Sequence, residues 1–213
     1  MALFMCADCA RNAGGSSGAQ ATRPCQGHWA VVLTPTMKSV IKAIVFLIMG
    51  FTVIFYGGAL LLPGVARVER SIDIAAPPEK IYAIAADLRR WPEWSAWLEA
   101  DPRTRFSFEG AEQGAGQVMR WTSGNPMVGS GTMTVTDALP HVRVSTRSDY
   151  AGFGTSTAAM DFAPQGQGTR VTWRFESQLP GVIDRWAGLG MDRTVGADYD
   201  AALRNLRTLA ERP

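Results

Sequence analysis

Two groups of residues have types and spacings that bear on chemistry. The first is Cys6-x2-Cys9, then fifteen residues, then Cys25-x2-His28. Two residues between ligands let both side chains reach one tetrahedral ion, so the set matches a Cys3His zinc site. The intervening ARNAGGSSGAQATRP offers no apolar residues for the small hairpins that such sites carry. The competing reading starts translation at Met37, where MKSVIKAIVF opens with a short basic stretch before an apolar run and the upstream spacing is coincidence. The balance favours the second reading, so neither metal nor cofactor is expected. The second group is the handful of polar side chains beyond residue 36. His141 is the single histidine there, placed after Pro140 in a turn, and no cysteine follows Cys25. Neither a Ser-His-Asp nor a Cys-His arrangement can be built from that inventory. The glycine-rich stretches 110–116 and 124–131 lack the strand–GxGxxG–helix context of a nucleotide site.

Acid–base chemistry would need a polar group inside an apolar interior, its pKa moved toward neutrality by burial. Arg120 is the leading inward candidate because it shares parity with Val118, although Met119 and Trp121 compete for the same side. Tyr150 and Tyr199 are possible hydroxyl donors. Asp161 is flanked by Met160 and Phe162, and Glu176 opposes Val171, Trp173 and Phe175, so alternation sends both carboxylates outward. For each candidate, a solvated or structurally satisfied polar group is the simpler explanation.

These residues must be positioned by elements that the hydrophobic period reveals. Residues 67–74 alternate, with Val68, Ile72 and Ile74 on one face, which predicts a half-buried strand. Pro77, Pro78 and Glu79 open a helix whose stripe is Ile81, Ile84 with Ala85, and Leu88, ended by Trp91-Pro92. Strands are predicted around Phe106 and Phe108, then over 117–122, 128–136, 142–147, 156–162 and 169–178. Between them stand turn clusters such as Ser123-Gly124-Asn125-Pro126. After Pro180-Gly181 the period becomes 3.6 for some 30 residues, from Val182 through Trp186, Tyr199 and Leu206 to Ala210. Gly188, Gly190 and Gly196 predict a kink or a close approach. A curved antiparallel sheet shelters its apolar face by wrapping around that long helix, so the fold class is α+β, a helix-grip.

The chain has 213 residues, 46% hydrophobic and 19% charged, with a net charge of +2. Residues 67–213 hold 17 basic and 18 acidic groups, which is not the footprint of a nucleic-acid binder. Residues 43–62, AIVFLIMGFTVIFYGGALLL, carry no charge and span about 30 Å as a helix, the thickness of a bilayer core. A cleaved signal peptide with Gly64-Val65-Ala66 as its cleavage site is the alternative, but twenty apolar residues are long for one. We therefore expect a tail over 1–36, a single-pass transmembrane anchor over 37–66 and one domain over 67–213. Lys38 and Lys42 are nearly balanced by Arg67 and Arg70. Arg11 and Arg23 tip the count toward an exported, periplasmic domain on a bacterial inner membrane.

The order of elements and several motifs resemble the START/Bet v1-like (SRPBCC) superfamily, in its polyketide cyclase/dehydrase-like branch. The motifs are Ile74-Ala75-Ala76-Pro77-Pro78-Glu79, Asp87-Leu88-Arg89-Arg90-Trp91-Pro92-Glu93-Trp94-Ser95-Ala96-Trp97 and Val128-Gly129-Ser130-Gly131-Thr132-Met133. Gly168-Thr169-Arg170-Val171-Thr172-Trp173, Met191-Asp192, Gly196-Ala197-Asp198 and Leu203-Arg204-Asn205-Leu206 complete them. The resemblance covers roughly 67–211. It implies a largely apolar cavity between sheet and helix that takes a hydrophobic small molecule or lipid. Some relatives use such a cavity for cyclisation or dehydration. The expected lining is Trp97, Trp121, Met133, Met160, Trp173, Phe175, Trp186 and Met191. Trp91, Trp94 and Trp97 read as a packed corner, as an aromatic rim at the cavity mouth, or as tryptophans at a membrane interface. A domain whose cavity is plugged by Trp121, Trp173, Trp186 and Tyr199 is the non-catalytic alternative.

Overall fold

The computed structural model describes residues 35–152 and 154–213. Cys6, Cys9, Cys25 and His28 lie outside the described residues, and so does the expected tail up to residue 34. The first element is a helix, α1 (Pro35–Leu61), whose side chains are almost all exposed. Among the described residues it is the one helix long and apolar enough to cross a membrane. The division between two compact units falls inside it, after Phe46, so its last turns group with the sheet domain.

Seven antiparallel strands follow in one sheet: β1 (Val65–Ile74), β2 (Arg105–Gly110), β3 (Gln117–Thr122), β4 (Ser130–Leu139), β5 (Arg143–Tyr150), β6 (Gly154–Gln165) and β7 (Gly168–Gln178). Their order across the sheet is β1-β7-β6-β5-β4-β3-β2. Sequence neighbours pair except that β1 closes against β7, with Val65 opposite Gln178 and Ile74 opposite Thr169. A bulge at Thr136 in β4, between Val135 and Asp137, bends the sheet locally. In β7 the burial alternates as read from the sequence: Val171, Trp173 and Phe175 are buried while Arg170 and Arg174 are exposed.

Between β1 and β2 lie α2 (Pro78–Ala85), a 3-10 turn over Leu88–Glu93 and α3 (Trp97–Ala100). Pro78 starts α2 at the position where a missing N–H costs nothing. Asp87 caps the 3-10 turn by accepting from Arg89 N. This corner is pinned to β3 by Gln117, whose buried amide accepts from Leu88 N at 2.7 Å. The same amide donates to Asp87 Oδ1 and Glu112 O, both at 2.9 Å. Gln117→Leu keeps the volume but leaves the buried Leu88 N–H unpaired. We expect a loss of about 1–3 kcal/mol in denaturant unfolding of the detergent-solubilised chain; an unchanged midpoint would show that the corner holds by packing alone.

The C-terminal pattern, expected as one long helix, is two: α4 (Val182–Gly188) and α5 (Met191–Ala210). The break falls at Gly188–Gly190, where a side chain on Gly188 would put its Cβ 2.4 Å from Leu179 Cδ1. Gly196 serves the close approach instead: Arg70 of β1 lies across it and binds Asp192 at 3.0 Å and Asp200 at 3.2 Å. That contact latches α5 over the sheet. The core sits beneath it, where Leu203, Leu206 and Ala210 meet Ile81, Ile84, Leu88, Met119, Val135 and Val171. Each large side chain buried there contributes roughly 1.5–3 kcal/mol.

Candidate ligand-binding cavity

Part of the space between the sheet and α5 is not filled. It holds a cavity of about 330 Å³, at the low end of the ~300–1,000 Å³ usual for small-molecule sites. Its floor is the inward face of β4–β7, with Met133, Ser148, Ser156, Ala158, Trp173 and Phe175. One wall is the tryptophan corner, with Trp91, Ser95 and Trp97. The other is α5, where Thr194, Val195, Asp198, Tyr199 and Ala202 recur at helical spacing. The β3–β4 loop, with exposed Pro126 and Met127, stands at the rim.

Aromatic rings tie these walls together. Tyr199 stacks on Trp173 with centroids 3.6 Å apart and planes at 13°, and Trp173 meets Trp91 edge-on at 5.6 Å. Trp97 lies 4.7 Å from Trp121, whose other neighbour is Tyr150 at 5.6 Å. Trp121 is buried just behind the wall, donating to Val128 O at 3.2 Å. Gly131 is obligatory beside it, because a Cβ there would approach Trp121 to 2.5 Å and Asp149 O to 2.3 Å.

The ionisable groups of the wall form one cluster. Burial raises the pKa of Tyr150, and hydrogen bonds to Ser156 and Ser148 offset part of that rise. Burial, with Tyr150 and Asp198 as neighbours, raises Tyr199 well above a free phenol, so both hydroxyls stay protonated donors. Partial burial also raises Asp198, which is the single ionisable carboxyl of the wall. Neither lysine nor arginine lines the cavity among the described residues. A carboxyl raised in the fold favours the folded state most below its unfolded pKa, and that contribution is lost as pH rises through the raised value. Asp198→Asn removes the dependence: the melting temperature of the variant minus that of the native chain is expected to be larger at pH 7 than at pH 4. Equal differences at the two pH values would sink this reading.

Two buried donors of the wall, Trp91 Nε1 and Ser95 Oγ, have no hydrogen-bond partner; neither does Trp94 Nε1 behind them. Trp94 packs behind the wall, while buried Trp91 and half-buried Trp97 border the cavity.

Of the lining expected from sequence, Trp97, Met133, Trp173 and Phe175 border the cavity and Trp121 backs it. Met160 lies elsewhere in the core, on the part of β6 that α2 covers. Met191 is the first residue of α5, before the turns that face the space. Trp186 is carried away by the helix break and packs on α1. The plug foreseen from Trp121, Trp173, Trp186 and Tyr199 leaves the space open. Tyr150 and Tyr199 both reach the wall. Arg120 does not: it is exposed on the outer face, bound to Glu109 at 3.1 Å, because Met119 and Trp121 take the inward parity of β3. Asp161 and Glu176 also face outward, pairing with Arg143 and Arg174 and with Arg67. The sequence reading missed Ser148, Ser156 and Asp198. Ser148 and Ser156 are register partners at inward parity on adjacent strands, a signal visible once pairing is known. Among the described residues no group of three His, Cys, Asp or Glu side chains could hold a metal.

A curved antiparallel sheet gripping a C-terminal helix, with a hollow between them, defines a helix-grip cavity protein. The family model described as polyketide cyclase/dehydrase and lipid transport matches residues 65–211. The chain belongs to that family, within the START/Bet v1-like superfamily. No curated protein matches the sequence. Among solved structures, the di-domain ARO/CYC StfQ from the steffimycin biosynthetic pathway is 18% identical with a TM-score of 0.55. The match covers 69% of this chain and 51% of that one, so this chain spans about half of StfQ. The KanY protein is 22% identical with a TM-score of 0.51, covering 70% and 100% of the two chains. A Staphylococcus aureus protein of unknown function is 12% identical with a TM-score of 0.52, covering 70% and 97%. At these identities the likeness is one of fold.

Proposed function

We propose that the domain binds one small, hydrophobic, uncharged molecule in the cavity, and that α1 anchors it to a membrane. The observation that carries this is the composition of the wall: mostly aromatic and aliphatic surface, with a few hydroxyl and indole donors and one carboxyl of raised pKa. Apolar walls desolvate the ligand body, and a few polar groups fix its orientation. A ligand oxygen accepting from Trp91 Nε1 or Ser95 Oγ would recover the ~1–3 kcal/mol that an unpaired buried donor costs. Without a lysine or arginine in the wall, a phosphate or carboxylate ligand finds no counter-charge. The volume suits a compact ring system better than a two-chain lipid. Lys38 and Lys42 before the apolar run are nearly balanced by Arg67 and Arg70 after it, and Arg11 and Arg23 tip the count toward an inside N-terminus and an exported domain.

Native mass spectrometry with organic extraction, on the full chain in detergent, tests this. A stoichiometric, neutral, hydrophobic molecule retained through purification is expected. A clean apo mass across several lipid mixtures, together with no binding of an apolar dye, would overturn it.

A cyclase or dehydratase is the second reading, favoured by Asp198 beside Tyr150 and Tyr199: a carboxyl whose pKa is raised by burial and two hydroxyl donors are suited to general acid–base work on a carbonyl. Under that reading Asp198→Asn or Tyr199→Phe abolishes turnover of a retained substrate while leaving its retention intact.

A further inference from the structure

The last two turns of α1 carry a specific contact that the cavity does not need. Trp186 of α4 stacks on Phe55, with centroids 5.9 Å apart and planes at 10°, and its Nε1 donates to Phe55 O at 3.1 Å. Gly58 makes room for it, since a Cβ there would come within 2.9 Å of the indole. One residue earlier, Arg185 donates to Ala59 O at 3.1 Å, adding to the bond that this carbonyl near the end of α1 accepts from Leu62 N at 3.3 Å. Ala59 is buried by this contact, alone among the residues of α1.

Phe55 lies six residues before the end of α1 at Leu61, about 9 Å down the helix axis at 1.5 Å per residue. If α1 crosses a bilayer with its apolar end at the surface, a side chain docked on Phe55 is at the headgroup–acyl boundary. An indole is stabilised at that depth. The rest of α4 fits the same surroundings. Ile183 is 73% exposed and Leu189, just after the helix, 62%. The two charges of α4 are committed locally, Arg185 to Ala59 O and Leu179 O, and Asp184 to Gly181 N at 2.9 Å. Exposed apolar side chains on a helix clamped to a membrane span are matched by lipid rather than water.

We propose that α4 is an interfacial membrane helix, held against α1 by Trp186 and Arg185, with Ile183 and Leu189 inserted into the bilayer surface. This rests on the reading that α1 spans the membrane. It has a consequence for the cavity. Gly190 joins α4 to α5, whose first turns supply Thr194, Val195 and Asp198. The β3–β4 loop with exposed Met127 belongs to the same end of the sheet, where β1 begins and β7 finishes. The mouth therefore opens onto the lipid surface, and a ligand passes between bilayer and cavity without crossing bulk water.

The test uses the full chain in phosphatidylcholine–phosphatidylglycerol nanodiscs, with Cys6, Cys9 and Cys25 replaced by serine. Single labels are introduced by Ile183→Cys, Leu189→Cys, Val53→Cys within α1, and Leu139→Cys at the far end of β4. Each is read with a nitroxide-lipid quencher and with an aqueous quencher. Labels at 183 and 189 are expected to lose most of their fluorescence to headgroup-proximal nitroxide and to resist the aqueous quencher. Label 53 should be quenched by deep nitroxide, and label 139 by the aqueous quencher alone. Aqueous quenching at 183 and 189 with label 53 still in lipid would overturn the inference and leave the anchor standing. Shielding at 183 and 189 from both quenchers would mean a protein partner or second copy covers them, which also overturns it. Loss of lipid quenching at label 53 would overturn the anchor itself, and the inference with it, while retention of a cavity ligand is scored separately.

Discussion

Ala158→Trp is expected to weaken binding of the cavity's ligand by about a hundredfold or more, which is roughly 2.8 kcal/mol at 1.4 kcal/mol per tenfold. Ala158 sits at inward parity on β6, between Thr146 of β5 and Phe175 of β7, and its side chain borders the hollow. An indole placed there takes up a large part of about 330 Å³. A central strand accommodates an aromatic residue well, so the variant should fold. Ala159→Trp is the matched control, one residue along and on the outer face of the sheet; it adds the same side chain outside the cavity and should leave retention unchanged. Native mass spectra and dye titrations of both variants, in detergent, with circular dichroism as the check on folding, decide the matter. Undiminished retention in folded Ala158→Trp would remove the cavity as the binding site.

Trp121→Ala should produce the largest loss of stability. The ring is 1% exposed and is wedged between Trp97, Tyr150 and the backbone at Gly131. Truncating a buried tryptophan costs about 3–5 kcal/mol. The change also leaves Val128 O without its indole donor. Against a total of about 5–15 kcal/mol for a typical domain, that is a large fraction. Trp121→Phe restores most of the ring and should recover all but the lost hydrogen bond, about 1 kcal/mol. Denaturant unfolding of the two variants, followed by near-ultraviolet circular dichroism, gives the comparison. A loss below 1 kcal/mol for the alanine variant would mean the corner relaxes into the vacated space, contrary to the rigid arrangement of rings around it.

The strands were legible because their surroundings differ on the two faces. β7 is flanked by water on one side and core on the other, so its alternation of Val171, Trp173 and Phe175 with arginines and Glu176 has one interpretation. The same logic placed Asp161 outward, where it meets Arg143 and Arg174. β3 defeated it. Val118 is half-buried while Met119 and Trp121 are buried, so both parities carry apolar residues and Arg120 is assigned by its Glu109 partner, which lies on β2. The tryptophan corner shows a similar limit: of three residues of one type at a spacing of three, Trp94 packs behind the wall while Trp91 and Trp97 border the cavity.

From the sequence alone follow the α+β order of elements, the apolar N-terminal run and the outward carboxylates. These depend on period, composition and local turn chemistry, which are properties of a single segment; the family resemblance rests instead on motifs spread over the whole domain. The tertiary structure decided what depends on several segments at once. The C-terminal helix breaks at Gly188–Gly190, where Gly188 admits the close approach of Leu179. Trp186 then docks on Phe55 instead of facing Tyr199. Ser148 and Ser156 meet through strand register, and Asp198 joins them through the face that α5 turns toward the sheet. Whether aromatic side chains fill a hollow or surround it is set by distances between elements, and periodicity contains none of those distances.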